Sequence, residues 1–175
     1  MARVLALDCS TNVGWAVFER PAGPVRFGTW RAPKRFLQSE YGRSFVALEA
    51  WLIDQLARYV PDVVAFEAPI MPFGGFIEQR SSLDIVRLLI GLATVVELVA
   101  TRARLRCVEV PVPTAKKRVC GTGRAAKRDM INAVVKLGHL VEDDHQADAI
   151  AVALATYDHL DRVGEGPPVA SPKPR

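Results

Sequence analysis

Cysteine is scarce. Only Cys9, Cys107 and Cys120 occur, an odd count with no two at metal-ligand spacing. That argues against a disulfide framework or a zinc knuckle and favours a reducing compartment. Long apolar runs are missing too. The most apolar helical stretch, Leu88 to Val96, is closed off by Arg87 and Glu97, too short to cross a bilayer. Met1-Ala2-Arg3 leads into a short apolar run with no cleavage site, so no secretory signal is expected. The chain shows no internal repeat and no serine or cysteine nucleophile motif. The expectation is a soluble, cytoplasmic protein.

At 175 residues the chain is most simply one domain, large enough for a real core. Residues 1–162 are expected to form it. The Pro/Gly-rich tail 163–175 is expected to be disordered. The net charge of +4 is modest, but much of the excess lies between Thr114 and Arg128. A local basic patch on a near-balanced chain points to a polyanion contact.

Three short strands are expected first, over Arg3–Cys9, Trp15–Glu19 and Val25–Trp30, joined by turn residues in an antiparallel meander. Phe45, Leu48, Leu52, Leu56 and Tyr59 repeat at helical spacing, which predicts a helix over 41–59 ended by Pro61. A strand over 63–67, an irregular loop Pro69–Phe76, a buried or interface helix over 78–102 and a strand over 107–110 follow. Residues 111–123 read as a loop. Helices are expected over 125–137 and 144–160, with Asp143 and Gln146 as a capping box for the second. The alternation of helix and strand makes the last two strands parallel to the first. The fold class is therefore α/β, a mixed five-stranded sheet (three antiparallel strands, then two parallel) with helices on both faces.

Two of those strands end in an acid. Val4-Leu5-Ala6-Leu7 runs into Asp8, and Val63-Val64-Ala65-Phe66 into Glu67. A carboxylate at the end of a buried strand is costly unless its charge is compensated, and a metal ion is the usual compensation. His145 and Asp148 open the last helix three residues apart and share a face. Each also has a plainer explanation: a dipole-compensating acid, a surface histidine, a strand-end acid in water. Together they predict a divalent-metal site, with Mg²⁺ suited to a few carboxylates plus substrate phosphate oxygens. The chemistry would be two-metal phosphodiester hydrolysis, with ions roughly 3.5–4 Å apart.

The segments ALDCSTNVGWAVFE, VVAFEAP, VPTAKKRVCGTGRAAKRDMINAVVKLG and DHQADAIAVALATYDHL resemble the RuvC-type Holliday junction resolvases of the RNase H-like (retroviral integrase) superfamily. The resemblance runs from about Arg3 to Leu160. It implies a Mg²⁺-dependent endonuclease, with Mn²⁺ as a substitute and two ions per active site. It also implies that Asp8, Glu67 and Asp148 are acidic metal ligands, with His145 where the family carries Asp or His. The branched-DNA substrate would be a four-way junction, cut symmetrically by a homodimer. Such a dimer is natural for a two-fold substrate, and the 78–102 helix is the candidate interface. In the family an aromatic commonly follows the second acid by three residues and wedges against bases. Here that place holds Ile70, so Phe73 and Phe76, or Met71, are the candidates; the plainer account is that they are hydrophobic lids over the core.

Lys116, Lys117, Arg118, Arg124, Lys127 and Arg128 flank Gly121-Thr122-Gly123 and are expected to contact DNA phosphates. A solvated helix face is the plainer account. Lys34, Arg35, Arg43 and Arg80 would extend the path. Other readings stay open: an RNase H-like nuclease on flaps, other branches or RNA; a sugar-kinase or actin-like ATPase fragment, though no Gly-rich phosphate loop follows Asp8; and a silent DNA-binding module.

Overall fold

The computed structural model describes residues 2–32, 41–69 and 80–163. Its order is β1 (Arg3–Asp8), β2 (Asn12–Glu19), β3 (Gly23–Arg31), α1 (Tyr41–Tyr59), β4 (Val63–Glu67), α2 (Arg80–Arg102), β5 (Arg106–Val110), α3 (Val112–Cys120), α4 (Lys127–Lys136) and α5 (Asp144–Val163). The strands form one sheet in the order β3-β2-β1-β4-β5. β2 pairs antiparallel with β1 and β3. β4 pairs parallel with β1 and β5. This is the expected mixed sheet.

One element departs from expectation. The sequence reads as a loop over 111–123, but Val112–Cys120 is helical. Pro113 stands in its first turn, where the missing N–H costs nothing. Gly121 ends it in the left-handed region at φ 75°, donating its N–H to the Lys117 carbonyl at 2.9 Å. β2 also begins three residues earlier than expected, at Asn12, which leaves only Cys9–Thr11 as the turn after Asp8.

Strand alternation divides the interior in two. Val4, Ala6, Ala16, Val63 and Ala65 face α3, α4 and α5. Leu5, Leu7, Val17, Val64 and Phe66 face α1 and α2. Both faces of the central strands are therefore dry, which is why those strands read as unbroken apolar runs. α5 lies between the sheet and the α3–α4 pair, so it is buried almost all round. Its Ala147, Ala149, Ala151, Ala153 and Ala155 are at most 3% exposed. Small side chains on the helix meet small ones on the strands, and the two backbones come close. On the opposite face Trp15, Trp30 and Trp51 cluster with ring centroids 5.8–6.2 Å apart.

The residues 33–40, 70–79 and 164–175 lie outside the described set, and with them Lys34, Arg35, Ile70, Met71, Phe73, Phe76 and the C-terminal tail. No described helix is long and apolar enough to cross a membrane.

Candidate active site

Period-two alternation sends Asp8 to the face already taken by Val4 and Ala6, and Glu67 to the face of Val63 and Ala65. Both therefore point to the α5 side. Leu7 and Phe66 are register partners in the parallel β1–β4 pair, so the two acids leave adjacent strands side by side. The α5 N-terminus meets them there.

That N-terminus is tied down. Asp143 Oδ1 accepts the Gln146 N–H at 2.9 Å, the forward half of a capping box. The return bond is displaced by one residue: Gln146 Oε1 accepts from the Glu142 N–H at 3.0 Å. Asp143 Oδ2 also takes the Thr29 hydroxyl of β3 at 2.7 Å. Gly14 in β2 passes so close to the His145 backbone that no Cβ fits between them.

Asp8 is 6% exposed. Its Oδ2 lies 2.9 Å from His145 Nδ1. The Ser10 hydroxyl reaches both groups, 3.3 Å from Asp8 Oδ2 and 3.2 Å from His145 Nδ1. The hydrogen bond to Asp8 raises the His145 pKa above its usual value, with partial burial opposing. Burial, then the charges of Asp8 and Asp148, push Glu67 up to about 8, and Lys116 pulls against them. Burial, then Asp8 and Asp144, push Asp148 up to about 7, opposed by Lys116 and His145. One oxygen of Asp148, Oδ1, is buried without a hydrogen-bond partner among the described residues.

These acids share a neighbourhood but not yet a grip. Among the described residues, no three His, Cys, Asp or Glu groups already converge on one ion-sized point. With no cation between them Glu67 and Asp148 tend to take up protons, and Asp8 is held by His145. The set nonetheless suits a hard divalent cation. It offers carboxylate oxygens, one imidazole and an orphaned buried oxygen, with Lys116 as the cation felt by both Glu67 and Asp148.

The basic residues separate into different roles. Lys116 is part-buried and donates Nζ to the Ala125 carbonyl at 2.8 Å. Lys127 pairs with Asp144, beside His145. Arg118 pairs with Asp158 at 2.6 Å, ten residues beyond Asp148 along α5. Lys117, Arg124 and Arg128 are exposed. The glycines between α3 and α4 have local structural reasons. Gly121 caps α3, and a Cβ on Gly123 would stand 3.0 Å from Pro113 Cβ. Burial pushes the Cys9 thiol well above its usual pKa, which disfavours the reactive thiolate.

Ser10 and Gly14 were legible only as turn residues. Their part in the site depends on His145, more than a hundred positions away, and nothing local signals it.

A mixed sheet in this order, with acids at the ends of β1 and β4 and on an Ala-rich helix, is the RNase H-like architecture. No protein-family model matches the chain. The crossover junction endodeoxyribonuclease RuvC of Chelativorans sp. (strain BNC1) is 30% identical over 164 residues, 90% of this chain and 89% of that one. RuvC of Dehalococcoides mccartyi is 30% identical over 162 residues, 90% and 93% of the two chains. The chain belongs to the RuvC family of crossover junction endodeoxyribonucleases. Among solved structures, Thermus thermophilus RuvC in complex with a Holliday junction substrate superposes with a TM-score of 0.70 at 21% identity, over 97% of this chain and 100% of that one. The yeast mitochondrial Holliday junction resolvase Ydc2 gives 0.56 at 13% identity, over 88% and 77%.

Proposed function

We propose that this protein is a metal-dependent, structure-selective endodeoxyribonuclease that resolves four-way DNA junctions by symmetric hydrolytic nicks. The observation that carries the reading is the crowding of Asp8, Glu67 and Asp148 at one end of the sheet, where burial and mutual charge raise the pKa of Glu67 and Asp148 far above the ordinary carboxylate range. Asp8, Glu67, His145 and Asp148 would hold Mg²⁺, or Mn²⁺ in its place, two ions to a site. Ions bound there would activate the attacking water and stabilise the leaving oxygen.

The rest falls to the chain itself. The buried alanines of α5 keep the rear of the site dry. Lys116 steadies Glu67 and Asp148 from one side. Exposed Lys117, Arg124 and Arg128 would hold phosphates and orient the strand, with Lys127 and Arg118, engaged by Asp144 and Asp158, contributing less. Phe73 and Phe76 would stack on bases at the crossover. Two cuts on a two-fold substrate call for a homodimer. α2 leaves Ile85, Ile90 and Leu98 between 42% and 54% exposed, apolar surface suited to that interface.

The test is Asp8→Asn against a labelled four-way junction, a flap, a duplex and an RNA–DNA hybrid. The variant should bind the junction and not cut it, while the parent makes paired symmetric nicks in the junction alone. Cutting of the hybrid alone would replace this reading with an RNase H-like one.

A further inference from the structure

Ser10 lies in the three-residue turn between β1 and β2, and its hydroxyl stands among three polar groups. It is 2.6 Å from the Asn12 carbonyl, 3.2 Å from His145 Nδ1 and 3.3 Å from Asp8 Oδ2. A hydroxyl has one hydrogen and two lone pairs. The Asn12 carbonyl can only accept and is the shortest contact, so the hydrogen goes there. Ser10 Oγ therefore turns a lone pair to His145. Asp8 Oδ2, 2.9 Å from the same nitrogen, is also an acceptor when ionised. With acceptors alone around it among the described residues, Nδ1 carries a hydrogen. A neutral ring that keeps its hydrogen on Nδ1 has its lone pair on Nε2.

Asp8 has competing duties in this arrangement. An oxygen that receives the imidazole N–H is less available to a cation. Ser10 supplies the second acceptor that lets the ring release Asp8 without turning over.

We propose that Ser10 is a positioning residue: it takes over the Nδ1–H of His145 when Asp8 engages a divalent cation, and so keeps Nε2 as the ligating nitrogen. The inference rests on the reading of Asp8 and His145 as metal ligands made above. It adds the ligating atom and the residue that selects it. The general pattern is that a histidine ligand is oriented by the acceptor on its other nitrogen, and loss of that acceptor weakens metal affinity by about 10–100-fold.

The experiment uses the full chain at a pH where the ring is neutral. Long-range ¹⁵N–¹H spectra, assigned by comparison with His145→Asn, should place the hydrogen on Nδ1 in the metal-free parent. Ser10→Ala should melt within a few degrees of the parent. Calorimetric Mn²⁺ titration should show its affinity lowered by about tenfold or more. Its kcat on the junction should fall at unchanged KM. A hydrogen found on Nε2 in the parent, or parental Mn²⁺ affinity in a folded Ser10→Ala, overturns the proposal. Asp8→Asn goes through the same titration. If it weakens Mn²⁺ binding and Ser10→Ala does not, the Ser10 inference alone fails. If Asp8→Asn binds Mn²⁺ as the parent does, the metal-site reading fails and takes the inference with it.

Discussion

A Cβ built on Gly14 would fall 1.9 Å from the carbonyl oxygen of His145. Atoms that close overlap, so the backbone of β2 can approach the first turn of α5 only because residue 14 has no side chain. Gly14 is also the register partner of Asp8. One bare Cα thus sets how near the helix-borne groups come to the strand-borne acid.

Gly14→Ala should therefore act on catalysis more than on folding. Overpacking here should cost about 1–3 kcal/mol of stability. The forced shift of His145 and Asp148 should lower kcat by about 100-fold, since displacements near 1 Å can have effects of that size. Thermal melts and single-turnover cleavage on the same preparation decide it. A variant with parental kcat would mean that α5 tolerates the shift.

Stability should depend on pH in an unusual direction. In the folded chain Glu67 and Asp148 hold their protons up to about 8 and about 7, against ordinary values of 4.5 and 3.8. Between those limits the folded state binds more protons than the unfolded one, so stability falls as pH rises. The metal-free protein should melt higher at about pH 5.5 than at about pH 8.5, because the window lies above the ordinary carboxylate pKa values. Added Mg²⁺ should raise the melting temperature more at the alkaline end. A metal-free melting temperature that rises across this window contradicts the crowding.

His145 should give an acid limit to activity. Asp8 raises its pKa, and a protonated ring cannot ligate. At fixed Mg²⁺, cleavage should fall as pH drops from about 8 to 5.5, around the reference histidine value. His145→Asp should keep cleavage and move the acid limb to lower pH. A flat profile for the parent removes His145 from the ligand set.

The cations should separate in a salt titration. Removing exposed Lys117, Arg124 or Arg128 should weaken junction binding and flatten the plot of log K against log salt by about 0.9 for each phosphate no longer neutralised. Arg118→Ala should change the slope less, because that guanidinium is bonded to Asp158. Equal slopes for all four variants would mean that the Arg118–Asp158 pair opens on DNA.

The strand-end acids were legible because two dry faces make a strand uniformly apolar, and a carboxylate closing such a run stands out. The mix of antiparallel and parallel strands followed from the short connections early in the chain and the helical ones later. α3 was not legible. Of its nine residues only Ala115 is buried, so no apolar period marks it, and Pro113 and Gly121 looked like loop residues. The Arg118–Asp158 and Lys127–Asp144 pairs were hidden for another reason: they join different helices, and no local pattern encodes their meeting.

The alanines along α5 make missing volume an active dimension of the fold. A single added methylene at Ala149 or Ala6 would act as a shim, levering the helix outward and widening the gap its acid must bridge to those on the strands. Enlarging an interior side chain at the back of this protein is therefore a way to detune its front.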